Sequence, residues 1–198
     1  MERKWIIVAF GDISGFSEWR RRASNQPEIA QPFLKKFYTE IQDFSVKYEH
    51  LYMKYLGDGV MIIKEIDEKY HKHRCVTKFI HQVGLLNARL LKVVRACEWP
   101  SPEGFRMRAV CGHVDKIMVA DPQNLKRMMP EYVGYAINLA AKLLDVSPGT
   151  NFLCHESVTK VLGKSPRLFK LKKFAVSEER RRGVDPEDVH SLWEVQFK

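Results

Sequence analysis

An α+β fold is predicted from three features of the sequence: two segments with helical apolar spacing, strand-like runs around them, and a glycine-flanked turn that joins two of those runs. The chain has 198 residues and is 45% hydrophobic, which is enough for one well-formed core and short for two. We therefore expect a single domain over residues 1–198.

The predicted order begins with a strand and a helix. Residues 5–11 are mostly β-branched or aromatic and end at Gly11, a pattern typical of a buried strand. From residue 27 onward, apolar side chains recur at spacings of three and four, which indicates one face of an amphipathic helix. The residues of that face are Phe33, Phe37, Ile41 and Phe44.

A hairpin is predicted next in the chain. Residues 50–56 and 59–64 are strand-like, and the short turn between them has a glycine on each side of Asp58. Glycine and aspartate at such a position are a strong signal for a tight turn between antiparallel strands. We therefore expect Asp58 at the tip of the hairpin.

A second long helix and another strand follow the hairpin. The helix is predicted over residues 70–97 and ends before Pro100 and Pro102, and residues 105–114 return to strand character. Strand, helix, hairpin, helix, strand is the βαββαβ order of a ferredoxin-like sheet with helices packed on one face. The apolar face of the second helix comprises Val76, Phe79, Ile80, Val83, Leu86 and Leu90.

The remaining residues are predicted to form a C-terminal extension of this unit. A helix is expected over 135–146, a strand over 151–155, and a terminal pair of strands over 168–176 and 191–197. No internal repeat or low-complexity linker interrupts the chain.

Charge and composition narrow the class of protein. The formal net charge of +9 favours a polyanionic partner, which could be a nucleic acid, an acidic membrane surface or a nucleoside triphosphate. No run of about 18 apolar residues and no signal peptide is present, so a soluble, cytoplasmic protein without membrane contact is expected. The basic clusters at 20–22 and 180–182 lack interleaved aromatic residues and are expected to be solvated surface.

The four cysteines are widely separated and form no CxxC pair. Each has apolar neighbours in the sequence, which favours reduced thiols in or beside the core over a zinc site or a disulfide. The residues are Cys75, Cys97, Cys111 and Cys154.

Two carboxylates are candidates for metal chemistry. In the predicted topology, the end of the first strand lies beside the tip of the hairpin, so Asp12 and Asp58 converge although they are far apart in sequence. Hard oxygen ligands suit Mg²⁺ or Mn²⁺, and a pair of such ions can activate a hydroxyl while neutralising phosphates. The alternative is that Asp12 caps a helix and Asp58 is merely a turn residue.

Five segments, in order, resemble the class III adenylate and guanylate cyclase family. The resemblance runs from about residue 5 to residue 158, roughly three quarters of the chain. It implies that the chain is a nucleotidyl cyclase with the fold of that family. The segments are FGDISGFS at 10–17, KYLGDGVM at 54–61, FRMRAVCG at 105–112, GYAINLAAK at 134–142 and FLCHE at 152–156.

The resemblance implies a metal site and a phosphate site. Asp12 and Asp58 would bind two divalent cations, Mn²⁺ or Mg²⁺, and the carbonyl of Ile13 would be a further ligand. Backbone N–H groups at the glycine-containing turn would hold the triphosphate, which agrees with the anion affinity of such turns. The residues that supply these groups are Ile13, Ser14, Gly15, Phe16 and Ser17.

The resemblance also implies a homodimer with shared active sites, because in the family one subunit provides the aspartates and the other provides a helix. On that helix Asn138 would orient the ribose, and Lys142 stands where the family has an arginine that stabilises charge on the α-phosphate. Tyr135 and Arg108 replace a family aspartate and a family glycine, which suggests a reshaped pocket.

By the same resemblance, Lys54 and Glu131 occupy the two positions that read the base. A lysine donor beside a carboxylate acceptor could pair with adenine, cytosine or uracil. The longer Glu131 side chain and the nearby Tyr132 and Tyr135 favour a smaller ring, and we expect a stand-alone cyclase domain without an attached sensor or membrane domain.

The chain is similar in these respects to the pyrimidine cyclases of Pycsar anti-phage defence, which are described as activating a separate effector that responds to the cyclic nucleotide. UTP is therefore the expected substrate, and adenylate cyclase is the alternative. A catalytically degenerate nucleotide-binding protein or an RNA-binding module is the remaining alternative. Nucleic-acid binding is not expected, because the strands lack the exposed aromatic residues typical of RNA-binding sheets.

Overall fold

A computed structural model describes residues 1–22, 27–67, 71–97, 104–146, 151–163, 167–176 and 192–198. These residues form eight strands and five helices. In chain order they are β1 (Glu2–Ser14), α1 (Phe16–Arg22), α2 (Pro27–Lys47), β2 (Tyr52–Tyr55), β3 (Gly59–Glu65), α3 (Lys72–Arg95), β4 (Gly104–Asp121), β5 (Asn124–Val133), α4 (Tyr135–Val146), β6 (Phe152–His155), α5 (Glu156–Leu162), β7 (Phe169–Lys173) and β8 (Leu192–Phe197).

The strands form one sheet in the order β2-β3-β1-β4-β6-β8-β7, and β5 pairs with β4. The first four strands therefore have the order β2-β3-β1-β4, which is the order of a ferredoxin-like sheet. β4 and β6 run parallel, and the other pairs are antiparallel. The predicted terminal strand pair is present as β7 and β8. The α+β, ferredoxin-like prediction is confirmed.

One face of the sheet is covered by α2, α3 and α5. The apolar faces predicted for the two long helices are buried in this layer, and the aromatic rings of Phe37 and Phe105 meet edge to face with centroids 5.7 Å apart. Tyr70, which was included in the predicted second helix, lies outside the described residues. Burial of these two faces is the main apolar contribution to the fold.

The two helices of the βαββαβ unit, α2 and α3, share one face of the sheet as predicted, and α4, for which no face was predicted, covers the opposite face. Ala136, Leu139 and Leu143 of α4 are buried against Ile6 and Val8 of β1. The residues of β1 alternate between the two layers, and both layers are apolar, which explains why this strand has a continuous apolar run.

The strand β5 was not predicted. Only Tyr132 among its residues is buried, so the segment lacks the apolar alternation that identifies a strand. It pairs with an extension of β4 that continues beyond the predicted end at residue 114 as far as Asp121. Glu131 and Tyr132 consequently lie on a strand and do not belong to the start of the helix.

Three further predictions from the sequence concern the cysteines, the basic clusters and membrane contact. All four cysteines are free thiols, and Cys111 and Cys154 are buried. Residues 20–22 are exposed as predicted, whereas 180–182 lie outside the described residues. Within the described part of the chain, no helix has both the length and the apolar character that a membrane span requires.

Candidate active site

The C-terminal end of β1 and the β2–β3 turn are in direct contact. Asp12 pairs with Gly59 across the two strands, and the Ile13 N–H donates to the backbone carbonyl of Asp58 at 3.3 Å. A Cβ atom on Gly59 would lie 2.7 Å from the Gly11 carbonyl oxygen, so only glycine allows this close approach. The predicted convergence of Asp12 and Asp58 is present in the structure.

The two carboxylates influence each other electrostatically. Burial and then the neighbouring Asp12 charge raise the pKa of Asp58 to about 6, and a side-chain hydrogen bond with Asp12 also raises it. Arg106 on β4 donates to Oδ2 of Asp12 from Nε at 3.2 Å and from Nη2 at 2.8 Å. The site is thus a close pair of carboxylates, one of which is already bound to a guanidinium.

This arrangement fits a magnesium or manganese site of the kind that uses few protein ligands. Among the described residues, no group of three or more His, Cys, Asp or Glu side chains is arranged to hold a metal ion. Mg²⁺ commonly binds through one or two carboxylates and completes its coordination with water and substrate phosphates. Asp12 and Asp58 meet that requirement, although a cation bound to Asp12 has to share its carboxylate with Arg106.

Tyr38 of α2 holds the turn that carries Asp58. Its hydroxyl donates to the Gly57 carbonyl at 2.6 Å, and its ring meets Tyr55 edge to face at 6.1 Å between centroids. Gly57 has a φ of 73°, which suits glycine and disfavours other residues. Burial and the nearby Asp58 charge raise the pKa of Tyr38. The helix thereby fixes the backbone next to the carboxylate.

The expected phosphate-binding turn follows directly after β1. Gly15 is exposed with a φ of 71°, and its carbonyl accepts the Trp19 N–H at 2.9 Å in α1. Ser17 is also exposed, and Phe16 is half-buried. The Ile13 N–H is occupied by the Asp58 carbonyl, so it is not available to a phosphate in this conformation.

Lys54 and Glu131, the two expected base-reading residues, contact each other. Lys54 Nζ lies 2.7 Å from Glu131 Oε1, which joins the edge strand β2 to β5. This hydrogen bond is the largest cause of a raised Lys54 pKa. Tyr132 does not reach toward an open base pocket, because it is 7% exposed and its hydroxyl donates to Glu65 at 2.7 Å. Tyr135, in contrast, is 64% exposed.

Asn138 and Lys142 lie on the outer face of α4. Both are exposed, whereas the residues next to them, Leu139 and Leu143, are buried against the sheet. One helical turn separates the two polar residues, so they share a face that points away from the sheet of their own subunit. Among the described residues, neither makes a hydrogen bond or ion pair with Asp12 or Asp58, although Asp145 of the same helix lies with its Oδ1 3.9 Å from Nη2 of Arg106.

No protein-family model matches the sequence, and no curated protein sequence matches it significantly. Solved structures match at full length. The adenylyl cyclase CyaB from P. aeruginosa has a TM-score of 0.73 at 18% identity, with 100% of this chain and 96% of that chain covered. The guanylate cyclase domain of RhGC from Catenaria anguillulae, in complex with GTP, has a TM-score of 0.67 at 14% identity, with 100% of both chains covered.

A third match is the non-canonical dimeric guanylyl cyclase domain of the RhoGC fusion protein from the aquatic fungus Blastocladiella emersonii. Its TM-score is 0.66 at 14% identity, and 100% of both chains is covered. The chain has the class III cyclase fold. The fold expected from the resemblance of the five segments is thereby confirmed.

Within the class III cyclase fold, two arginines of β4 have positions that the sequence analysis did not assign. Arg106, which binds Asp12, was missed, although strand alternation places it on the same face as Arg108 and opposite the end of β1. Arg108 was expected to reshape the pocket, which stays a prediction. The side chain is completely buried and donates to backbone carbonyls. Burial and the charge of Arg106 lower the pKa of Arg108 to about 9.

Proposed function

We propose that the protein is a nucleotidyl cyclase, which converts a nucleoside triphosphate into a 3′,5′-cyclic nucleotide and pyrophosphate. The observation that carries this proposal is the contact between the end of β1 and the β2–β3 turn, where Asp12 and Asp58 form a close carboxylate pair in a class III cyclase fold. The raised pKa of Asp58 supports a site that gains from binding a cation, because a cation relieves the repulsion between two carboxylates.

In the proposed reaction, the ribose 3′-oxygen forms a bond to the α-phosphorus, the bond to the bridging oxygen breaks, and pyrophosphate leaves. Two divalent cations, when bound, would lower the pKa of the 3′-hydroxyl, whose proton passes to solvent, and would neutralise the phosphates. Asp12, Asp58 and the Ile13 carbonyl would hold these cations. The exposed turn containing Gly15, with Phe16 and Ser17, would bind the triphosphate through backbone N–H groups.

Asn138 would orient the ribose, and Lys142 would stabilise the negative charge that develops on the α-phosphate. Because both lie on the outer face of α4, we propose that they act on the carboxylate site of a second copy of the chain. A C2 homodimer then contains two equivalent shared sites. One structural match is a non-canonical dimeric guanylyl cyclase domain, so this fold does occur as a dimer, and the shared-site arrangement itself rests on the exposed outer face of α4.

Complementation tests the shared site. Asp12→Ala and Asn138→Ala should each be inactive, and a mixture of the two should recover activity. With random exchange, half of the dimers are mixed and each contains one intact site, so about a quarter of the wild-type sites should return. If subunits demonstrably exchange and no activity returns, the site lies within one chain.

We further propose that UTP is the preferred substrate, so that the product is a cyclic UMP second messenger for a separate effector in anti-phage defence. Lys54 Nζ and Glu131 Oε1 lie 2.7 Å apart, so a donor stands beside an acceptor. The lysine could donate to uracil O4, and the carboxylate could accept from uracil N3–H. The same pair also suits adenine, which keeps adenylate cyclase as the second candidate.

Incubation of the purified protein with ATP, GTP, CTP or UTP and Mn²⁺, with products identified by mass, tests both the cyclase activity and the preference for UTP. Cyclic UMP as the main product supports the pyrimidine assignment, and cyclic AMP would make the protein an adenylate cyclase. Asp12→Ala should abolish the product in either case. If no cyclic nucleotide forms from any substrate, the protein is not a cyclase under these conditions, and the catalytic proposal fails.

A further inference from the structure

Arg108 is the largest fully buried side chain of the described residues. Its Nε donates to the Leu143 carbonyl at 3.1 Å, and its Nη1 donates to the Asn151 carbonyl at 2.5 Å and to the Met107 carbonyl at 2.8 Å. Leu143 belongs to the last turn of α4, and Asn151 directly precedes β6. One side chain of β4 therefore joins the end of a helix to the start of a strand.

The contact with Leu143 has a clear electrostatic basis. The last four carbonyls of a helix lack partners within the helix, and this end carries the negative part of the helix dipole. A guanidinium placed there satisfies a carbonyl and is attracted to the dipole. Burying a charge is costly, however, and an apolar residue of similar volume often gives equal stability. Stability alone is therefore a weak reason for an arginine at this position.

The position of α4 offers a better reason. Lys142 immediately precedes Leu143, and Asn138 lies one turn before Lys142, so the contact holds the part of the helix that carries both proposed catalytic groups. We infer that Arg108 is a positioning residue, which fixes the last turns of α4 so that Asn138 and Lys142 meet the substrate correctly. The catalytic part of this inference rests on the proposed cyclase activity.

The experiment compares Arg108→Met and Arg108→Lys with Arg89→Met, which removes a half-exposed arginine on α3. Arg108→Met should lower kcat by roughly tenfold or more and change KM by less than about threefold, since Asn138 and Lys142 act mainly in the transition state. Arg108→Lys keeps the charge but places its three N–H donors on one nitrogen, so it can keep only part of the hydrogen bonding and should recover part of kcat. Arg89→Met should behave as the wild type.

Complementation gives a readout that a general loss of structure would not produce. Arg108→Met should be rescued by Asp12→Ala, which supplies an intact α4, and should not be rescued by Asn138→Ala. Rescue by Asn138→Ala would place the defect in the carboxylate half, and failure with both partners would indicate general damage. Either result overturns the inference, provided that Asp12→Ala and Asn138→Ala rescue each other.

Hydrogen exchange tests the positioning role without any activity. In Arg108→Met, amides of α4 should exchange faster than in the wild type, while those of α2 and α3 keep their wild-type rates. Unchanged exchange in α4 overturns the inference even if the protein is not a cyclase. If neither Arg108 variant folds, as judged by thermal melting and elution volume, Arg108 is a folding requirement and the inference is wrong.

Discussion

The two halves of the candidate site have opposite surroundings. Asp12 and its partner Arg106 have side chains only 20% and 17% exposed, and the adjacent turn is held by a hydrogen bond from Tyr38. Asn138 and Lys142 are exposed on the outer face of α4. The carboxylate half is thus preformed within a single chain. The α4 half directs its two polar side chains to solvent or to a partner molecule.

Because of this difference, substitutions in the carboxylate half and substitutions on the outer face of α4 should affect different properties of the protein. A change in the carboxylate half alters groups that already interact with one another, so it should affect cation binding and the local pKa values. A change on the outer face of α4 removes a side chain that contributes little to folding, so it should affect the reaction and leave stability unchanged. The predictions below test that division.

Removal of either carboxylate should have the largest effect. Asp12→Ala and Asp58→Ala are each expected to reduce cyclisation to background, because a site with one carboxylate loses cation affinity and charge neutralisation together. The rate should be measured at matched Mn²⁺ concentration, with the exposed Asp43→Ala as the control. Near-normal turnover by either variant would contradict the metal assignment.

Lys142→Ala should lower kcat by about 10²–10³, by comparison with the loss of one group that stabilises transition-state charge. Its melting temperature should stay at the wild-type value, because Lys142 is exposed. Lys142→Arg, which introduces the family residue, should keep at least the wild-type rate. Lys92→Ala on α3 is the matched exposed control. A loss below threefold in Lys142→Ala would assign the charge stabilisation to another residue.

Tyr38→Phe should have a smaller effect, confined to the carboxylate half. The variant loses the hydrogen bond to the Gly57 carbonyl and keeps the ring contact with Tyr55. A hydrogen bond contributes about 1 kcal/mol, so the Mn²⁺ concentration for half-maximal activity should rise about fivefold, with little change in kcat at saturating Mn²⁺. Tyr48→Phe, near Phe44 and His50, is the control. An unchanged Mn²⁺ requirement would show that the turn does not need this contact.

The sequence predicts the carboxylate half better than the rest of the site for a physical reason. Asp12 ends an apolar strand and Asp58 occupies a glycine-flanked turn, so strand order alone brings them together. The position of Glu131 depends on β5, in which six of ten residues are exposed and no apolar alternation marks a strand.

Arg108 shows a different limit of sequence-based prediction. By the family resemblance it replaces a glycine, which suggested a reshaped pocket. Its partners are backbone carbonyls at the end of α4 and before β6, and the sequence does not indicate which carbonyls lack a partner. That information depends on how far α4 extends over the sheet, and the covering of the second face of the sheet by α4 was itself not predicted.

The smallest expected effect is on stability and follows from the raised pKa of Asp58. Its pKa of about 6 exceeds the ordinary value near 4, so the folded state binds the proton more tightly than the unfolded state does. The free energy of unfolding contributed by this group therefore falls as pH rises from about 4 to about 6, and stays low above that range. Asp58→Asn cannot ionise, so without metal it should melt a few degrees higher than the wild type at pH 7.5.

That gain should largely disappear near pH 4, where Asp58 is protonated in the folded wild type and about half protonated in the unfolded chain. Melting curves in a chelator at the two pH values provide the measurement, with Asp43→Asn as the control for the loss of one exposed negative charge. Addition of Mn²⁺ at pH 7.5 should reverse the order of stability, because the cation stabilises the ionised wild-type pair and binds the amide variant weakly. An equal difference between wild type and Asp58→Asn at both pH values would mean that neither burial nor the Asp12 charge raises the pKa of Asp58, and the carboxylate half would then have no cost of ionisation for a cation to relieve.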